Sequence, residues 1–477
     1  MLAPATTDTD EQSAIYSAAT GSADNLMIEA FAGCGKTTTL EGIGRALRGP
    51  SLYLCFNKRN ADEARERMPY TCEVRTLNAL GHRAWAGKTY TSLKLDKDKT
   101  RTILREIINE MPKAAQGPCW DSWHSIIDGV TRAKTFGYVP DNFPQAQSLL
   151  KQGAFHALLD EEPDDLVADL IDAVLSRSIK AAFKGTVDFN DQVYMPALFG
   201  GSCGHYPTVL VDEYQDLSPV NHALLARFVK SRLIGVGDRF QNIYGFRGAK
   251  AAGMADAVST YSMTTLPLSL TFRCPSAIVS HVHWRVPTFR ALHQGGSVEC
   301  PIRLEARDIN DQSVVICRNN APLFRLAVNL LSHGQSVTFT GSDIGPKLLG
   351  LMRKLGPEST PRANVLSLID DWLVEKMASD SKSAEDLADC MRVFAEHGRD
   401  LGQAISYAEH VLRAEGKVLL TTGHKAKGLE WRRVIHLDPW LVRKHPDEQN
   451  KNLDYVISTR SADTLIEIDS ERIEWAS

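Results

Sequence analysis

The sequence predicts an α/β protein with two lobes, each built on a parallel β-sheet and each interrupted by a mainly helical insertion. Three observations carry this. The apolar run Leu26-Met27-Ile28, a glycine-bearing loop and a helix-forming run over residues 38–47 make a strand–loop–helix unit. A second strand over 51–56 leads into a charged helix over 59–68, so strands and helices alternate. A second alternating set begins at residue 313, well separated from the first.

Taken in order, residues 1–25 are polar and small, and Thr9 or Asp10 can cap a first helix. From residue 77 to 183 the pattern turns helical, with clear periodicity over 100–111 and 164–178. Strands return over 208–211 and 232–236, and each ends in an acid, Asp212 and Asp238. In a parallel sheet such strand ends line the ligand crevice, which puts these carboxylates near the glycine loop. The second set runs as strand 313–317, helix 322–332 and strand 336–340. It resumes with strands 418–422 and 434–437, helix 452–459 and strand 464–468; the stretch between the two parts reads as helical.

Composition narrows the function classes. The 477 residues are 43% hydrophobic and 23% charged, an ordinary globular balance, and the length suggests about three domains. The net charge of −4 excludes a basic field over the whole surface, so any nucleic-acid site must be a local groove. The nine cysteines form no C-x-x-C pair, which argues against a metal or iron–sulfur site and for reduced thiols. The first residues lack the basic and apolar regions of a signal peptide, and no apolar run approaches the length of a membrane span. The expectation is a protein that is not secreted and meets no membrane, cytoplasmic in a bacterial or phage setting or nuclear in a eukaryotic one.

The loop Ala30-Phe31-Ala32-Gly33-Cys34-Gly35-Lys36-Thr37 fits the Walker A pattern. Backbone amides of Ala32, Gly33, Cys34 and Gly35 would cradle a polyphosphate at the helix N-terminus, with Thr38 following. Lys36 would reach the β- and γ-phosphates, and the Thr37 hydroxyl would ligate Mg²⁺. Cys34 reads as a small side chain that the loop tolerates, not as a nucleophile. The run VLVDEYQD over 209–216 has the Walker B arrangement: the strand delivers Asp212 to Mg²⁺ and places Glu213 to activate water. ATP and Mg²⁺ are the cofactors these two motifs call for.

The string GDRFQNIYGFRGA over 237–249 strongly resembles motif III of the UvrD/Rep-like superfamily 1A helicases, and DEYQD agrees with it. The rest of the chain falls into that family's order. Gln12 matches the Q motif, which implies an adenine contact. Phe56-Asn57-Lys58 resembles motif Ia, and Thr76-Leu77-Asn78-Ala79-Leu80-Gly81-His82 resembles motif Ib, with Asn78 where many relatives carry histidine. Asp188-Phe189-Asn190-Asp191 resembles the segment that closes the first insertion. Leu270-Thr271-Phe272-Arg273 resembles motif IV, which implies that Phe272 stacks on adenine and Arg273 reaches the γ-phosphate. The run TTGHKAKGLEW over 421–431 resembles motif V, which implies a ribose contact for Glu430 and a DNA-backbone contact for His424. Leu453-Asp454-Tyr455-Val456-Ile457-Ser458-Thr459-Arg460 resembles motif VI, with Arg460 as a second arginine finger. Motif III implies that Gln241 couples nucleotide state to a DNA-facing loop carrying Tyr244, Phe246 and Arg247. The C-F-N-K run and the small second insertion are similar to the branch related to the F-box DNA helicases.

This resemblance implies two RecA-like lobes. The first takes residues 1–83 and 187–265, with 84–186 as insertion 1B; the second takes 266–341 and 416–477, with 342–415 as a reduced insertion 2B. It implies an ATP-dependent DNA helicase or translocase that moves 3′-to-5′ on single-stranded DNA and unwinds 3′-tailed duplex, working as a monomer in repair, recombination or replication. A translocase that strips proteins from single-stranded DNA with little unwinding shares the same motifs. A P-loop switch without nucleic acid leaves Phe246, Arg247 and His424 without a role. The sequence identifies no protein partner.

Overall fold

The computed structural model describes residues 8–159, 163–245, 248–340, 344–377 and 384–475. Two compact units divide the chain: Met1–Ala30 with Gly35–Leu268, and Phe31–Cys34 with Ser269–Ser477.

The first unit holds a sheet of β1 (Leu26–Ala30), β2 (Ser51–Cys55), β3 (Cys72–Thr76), β4 (Tyr206–Val211), β5 (Val229–Gly237) and β6 (Thr264–Leu268). Its order is β3-β2-β4-β5-β1-β6, and every pairing is parallel. β2 is buried at all five positions, as expected of a strand covered on both faces. The predicted inner strands are all present. The two that sequence patterning missed, β3 and β6, are the edges. β3 is broken by charges in C-E-V-R-T, and β6 carries Pro267, which a sheet accepts at its edge.

Between β3 and β4 the chain makes the expected helical excursion, including helices Leu77–Thr89, Lys99–Glu110, Trp123–Phe136, Asp165–Phe183 and Asp191–Phe199. The longest is capped by Asp164, which accepts the Val167 amide at 2.7 Å, and it runs five residues past its predicted end. Leu104, Ile108, Val130, Ile171 and Leu175 join the core that also contains Met27 and Leu52 of the sheet. Two lysines are buried here. Lys99 Nζ lies 2.5 Å from Asp191 Oδ2, and Lys134 Nζ lies 2.5 Å from Asp188 Oδ2 and 2.7 Å from Asp191 Oδ1. The Asp-Phe-Asn-Asp turn therefore supplies the counter-charges for two insertion helices. A buried charge is tolerable only when paired in this way.

The second unit holds β7 (Ser297–Glu299), β8 (Ser313–Cys317), β9 (Val337–Thr340), β10 (Val418–Thr422), β11 (Trp431–Leu437) and β12 (Ser461–Ile468). The order is β7-β12-β11-β8-β10-β9, again parallel throughout. Helices Ile344–Met352, Arg362–Met377, Ala384–His397 and Leu401–Arg413 lie between β9 and β10. Phe324, Met391 and Phe394 pack with Val315, Leu420 and Ile435 in its core. His436, Asp454 and Glu467 also cluster there, but Arg443 donates to both carboxylates, from Nε to Asp454 at 2.9 Å and from Nη1 to Glu467 at 2.9 Å. That makes the cluster a buried ion-pair knot. Both units are thus parallel α/β lobes, as the sequence predicts.

Candidate nucleotide and nucleic-acid site

In the first unit the chemistry gathers at the C-terminal ends of the strands. β1 runs into the glycine loop, β4 into Asp212 and β5 into Asp238. Gly35 begins the helix Lys36–Ala46 with φ +80°, a left-handed conformation that glycine adopts without strain. No side chain caps this helix. Lys36 is half-buried, while Thr37 and Thr38 are exposed.

The Thr37 hydroxyl donates to Asp212 Oδ2 at 3.1 Å, and Asp212 Oδ1 accepts the Glu213 amide at 2.9 Å. Burial first, then the neighbouring Glu213, pushes the Asp212 carboxyl up to about 6, against the pull of Lys36. A hydroxyl and a carboxylate on adjoining atoms form a hard oxygen set that fits Mg²⁺. Glu213 itself sits at φ +50°, a strained backbone for a non-glycine residue. Such outliers persist where surrounding contacts over-determine them, often at functional sites.

Those contacts form a chain. Gln215 Nε2 donates to Glu213 Oε2 at 2.6 Å, and Gln215 Oε1 accepts the Asp238 amide at 2.9 Å. Gln241 Nε2 then donates to Asp238 Oδ2 at 2.7 Å. Gly237 leaves room for the crossing, since a Cβ there would stand 2.6 Å from Gln215 Oε1. Gln215 lies inside the Walker B string, yet sequence reasoning gave it no role; its signal was its place two residues after Glu213.

Gln12 is buried and completes a capping box with Thr9 on the helix Asp10–Gly21. Its Nε2 donates to Thr39 Oγ1 at 3.2 Å, which ties it to the helix behind the phosphate loop.

Of the expected DNA-contacting residues, the structure brings two rings together. Phe56 and Tyr244 lie nearly parallel, 7° apart with centroids separated by 6.0 Å, and Phe56 is partly exposed. Asn57 and Thr76 are helix N-caps: they accept the Asn60 amide at 2.8 Å and the Ala79 amide at 3.2 Å. Asn78 donates to the Phe189 carbonyl at 2.9 Å, and His82 Nδ1 lies 3.2 Å from Gln192 Nε2. Phe246 and Arg247 lie outside the described residues.

In the second unit, the Ala32 amide donates to the Tyr455 hydroxyl at 3.0 Å, and the Phe272 amide donates to the Gly33 carbonyl at 3.0 Å. Gly33 has φ +69°, and a Cβ there would meet Arg273 Cβ at 2.5 Å. Cys34 is fully buried, and Phe272 is half-buried. Arg273 donates from Nε to Glu430 Oε2 at 2.5 Å and from Nη1 to the Thr459 carbonyl at 3.3 Å. Arg460 is buried, donating to the carbonyls of Val456 at 2.9 Å and Leu429 at 3.1 Å. His424 is half-exposed on the short helix Gly423–Ala426 that follows β10. Among the described residues no helix is long and apolar enough to cross a membrane.

Residues 176–262 match the family model described as the UvrD/REP helicase N-terminal domain. Among curated proteins, the chain is 24% identical to F-box DNA helicase protein 1 of Schizosaccharomyces pombe, over 89% of this chain and 52% of that one. It is 28% identical to DNA helicase IV of Escherichia coli, over 47% of this chain and 39% of that protein. It is 25% identical to the ATP-dependent DNA helicase PcrA of Leuconostoc citreum, over 55% and 38% respectively. The chain thus spans about half or less of the length of these relatives. Among solved structures, an Arterivirus nonstructural protein 10 (helicase) in complex with DNA aligns over 94% of this chain and 62% of its own, at 12% identity and a TM-score of 0.35.

Proposed function

We propose, from the match of residues 176–262 to the UvrD/REP helicase N-terminal domain and the similarity to curated DNA helicases, that the chain is a UvrD/Rep-like superfamily 1 helicase, an ATP-driven motor that moves 3′-to-5′ on single-stranded DNA and unwinds duplex. The curated relatives' names support a DNA helicase role, and the resemblance to the UvrD/Rep-like family supports the 3′-to-5′ polarity, the 3′-tailed substrate and action as a monomer. The observation that carries it is the chain Glu213–Gln215–Asp238–Gln241, which joins the water-activating carboxylate to the segment bearing Tyr244.

In this reading Lys36 and the loop amides bind the phosphates, with Thr37 and Asp212 as the residues that would hold Mg²⁺. When bound, Mg²⁺ would supply charge neutralisation on the β- and γ-oxygens. Glu213 orients the attacking water and accepts its proton. Arg273 and Arg460 stabilise charge on the transferred phosphoryl, and Glu430, Gln12 and Phe272 hold ribose and adenine. Gln241 senses the γ-phosphate. Phe56 and Tyr244 stack on bases without reading sequence, joined by Phe246, Arg247 and His424. Residues 84–186 and 342–415 serve as the two insertions.

The test is ATP hydrolysis with and without single-stranded DNA, for wild type and Lys36→Ala, followed by unwinding of 3′-tailed against 5′-tailed duplexes. DNA-stimulated hydrolysis that needs Lys36, with unwinding of the 3′-tailed duplex alone, is expected. Hydrolysis indifferent to DNA would sink the motor reading; unwinding from 5′ tails would overturn the polarity.

A further inference from the structure

Tyr53 stands in the middle of β2 and is wholly buried. Its hydroxyl donates to Asp212 Oδ2 at 3.1 Å, onto the same oxygen that accepts the Thr37 hydroxyl. β2 pairs with β4 so that Tyr53 lies opposite Leu210, two residues before Asp212. The ring therefore runs beside the strand that delivers the carboxylate, and the hydroxyl reaches it from the sheet side. Asp212 Oδ1 accepts the Glu213 amide, and the Asp212 amide donates to the Leu54 carbonyl at 3.0 Å. Three donors from three elements thus fix the carboxylate.

We propose that Tyr53 is a positioning residue for the divalent cation, one that keeps the Asp212 carboxylate from rotating while Thr37 and Asp212 ligate the metal. This rests on the nucleotide reading above. No motif marks Tyr53; along the sequence it is one more ring in a buried strand.

The hydroxyl can be separated from the ring. A phenylalanine would fill the same space in the sheet, so the packing needs no oxygen. What the oxygen adds is one hydrogen bond to a buried carboxylate, a kind that is stronger than a neutral bond. Thr37 cannot hold the carboxylate alone, because its own oxygen must turn toward the cation. Tyr53 is not a proposed ligand, so its hydroxyl stays free to hold the carboxylate when the cation binds. Hydrogen bonds to a ligating carboxylate orient it, and their loss weakens metal binding by about 10–100-fold.

The experiment is Tyr53→Phe in the full chain, read three ways. Mn²⁺ binding is titrated by electron paramagnetic resonance with saturating ADP. Binding of a fluorescent ADP analogue is measured in EDTA. Thermal melting is recorded in EDTA without nucleotide. The expected result is Mn²⁺ affinity weakened about tenfold with metal-free ADP binding unchanged, beside a modest fall in melting temperature from the lost hydrogen bond. Equal Mn²⁺ affinities would overturn the proposal. So would a loss of ADP binding in EDTA, or a lowered melting point with Mn²⁺ affinity intact, since either makes the hydroxyl a packing element. A wild-type chain that binds no ADP at all would overturn the nucleotide reading itself, and the metal-free arm separates that outcome from the others.

Discussion

Gln215 donates to Glu213 Oε2 at 2.6 Å while accepting the Asp238 amide at 2.9 Å, so one side chain pins a strained carboxylate to the end of the neighbouring strand. Truncating it removes that bond from Glu213, whose backbone sits at φ +50°. Gln215→Ala is expected to lower kcat for ATP hydrolysis roughly 10–100-fold, as misplacement of a catalytic group does, with nucleotide affinity nearly unchanged. Steady-state kinetics beside equilibrium ADP binding checks this. A rise in the nucleotide Kd at constant kcat would go against it.

The two arginines should separate by their surroundings. Arg273 pairs with the exposed Glu430, so Arg273→Ala is expected to cut hydrolysis by ~10³-fold or more without moving the melting point. Arg460 is buried against the Val456 and Leu429 carbonyls. Arg460→Ala empties a buried site and removes the donor to the Leu429 carbonyl, while the Val456 carbonyl keeps the Thr459 hydroxyl at 3.2 Å, and a destabilisation of roughly 1–3 kcal/mol is expected along with the loss of activity. Melting curves of the two variants, run together, decide it.

Phe56 and Tyr244 form the one parallel pair among the residues proposed to meet DNA and described in the structure. Stacking on a base is worth about 1–3 kcal/mol, so Phe56→Ala or Tyr244→Ala should weaken single-stranded DNA binding by roughly 5–150-fold. Because the proposed phosphate contacts fall on Lys36 and Thr37 and not on these rings, ADP binding should hold. Fluorescence anisotropy with an oligonucleotide and with labelled ADP gives both numbers; a loss of ADP binding would assign the rings to the core.

His222 gives the first unit a pH dependence. It lies against the Tyr214 ring, with centroids 5.4 Å apart, and its Nε2 has no hydrogen-bond partner among the described residues. Burial first and Lys250 second hold the imidazole down to about 4, against a weaker pull from Asp256. The unfolded chain takes up the proton near pH 6.5, so the stability due to this group is whole above that pH and is lost as pH falls toward 4. Between pH 7 and 5 the loss is about 2 kcal/mol at most. His222→Gln should flatten that part of the stability curve, as measured by denaturant unfolding at the two pH values.

The buried strands and the glycine loop were legible because burial on both faces enforces apolar runs and a left-handed turn such as that at Gly35 favours glycine. Edge strands β3, β6 and β7 were not, since an edge tolerates the charges of β3 and the proline of β6. Motif positions named residues, but motif spelling does not say where a hydrogen bond goes. Asn57 and Thr76 fall in motif strings, and the fold uses their side chains to begin helices. Tyr53 falls in none, and its hydroxyl reaches Asp212 only because β2 and β4 become neighbours across the whole length of the insertion.

The strand order carries a consequence for synthesis. β1, which leads into the phosphate loop, pairs only with β5 and β6. A nascent chain that has not yet reached Val229 already contains Lys36 and Thr37, but the strand before them has nothing to lie against. β1 and the loop after it therefore leave the ribosome well before β5 and β6, and the helical excursion after β3 is made in the interval. A ribosome-stalled chain ending before β5 would expose β1 as an unpaired apolar strand, the kind of transiently exposed surface that makes folding intermediates prone to aggregate.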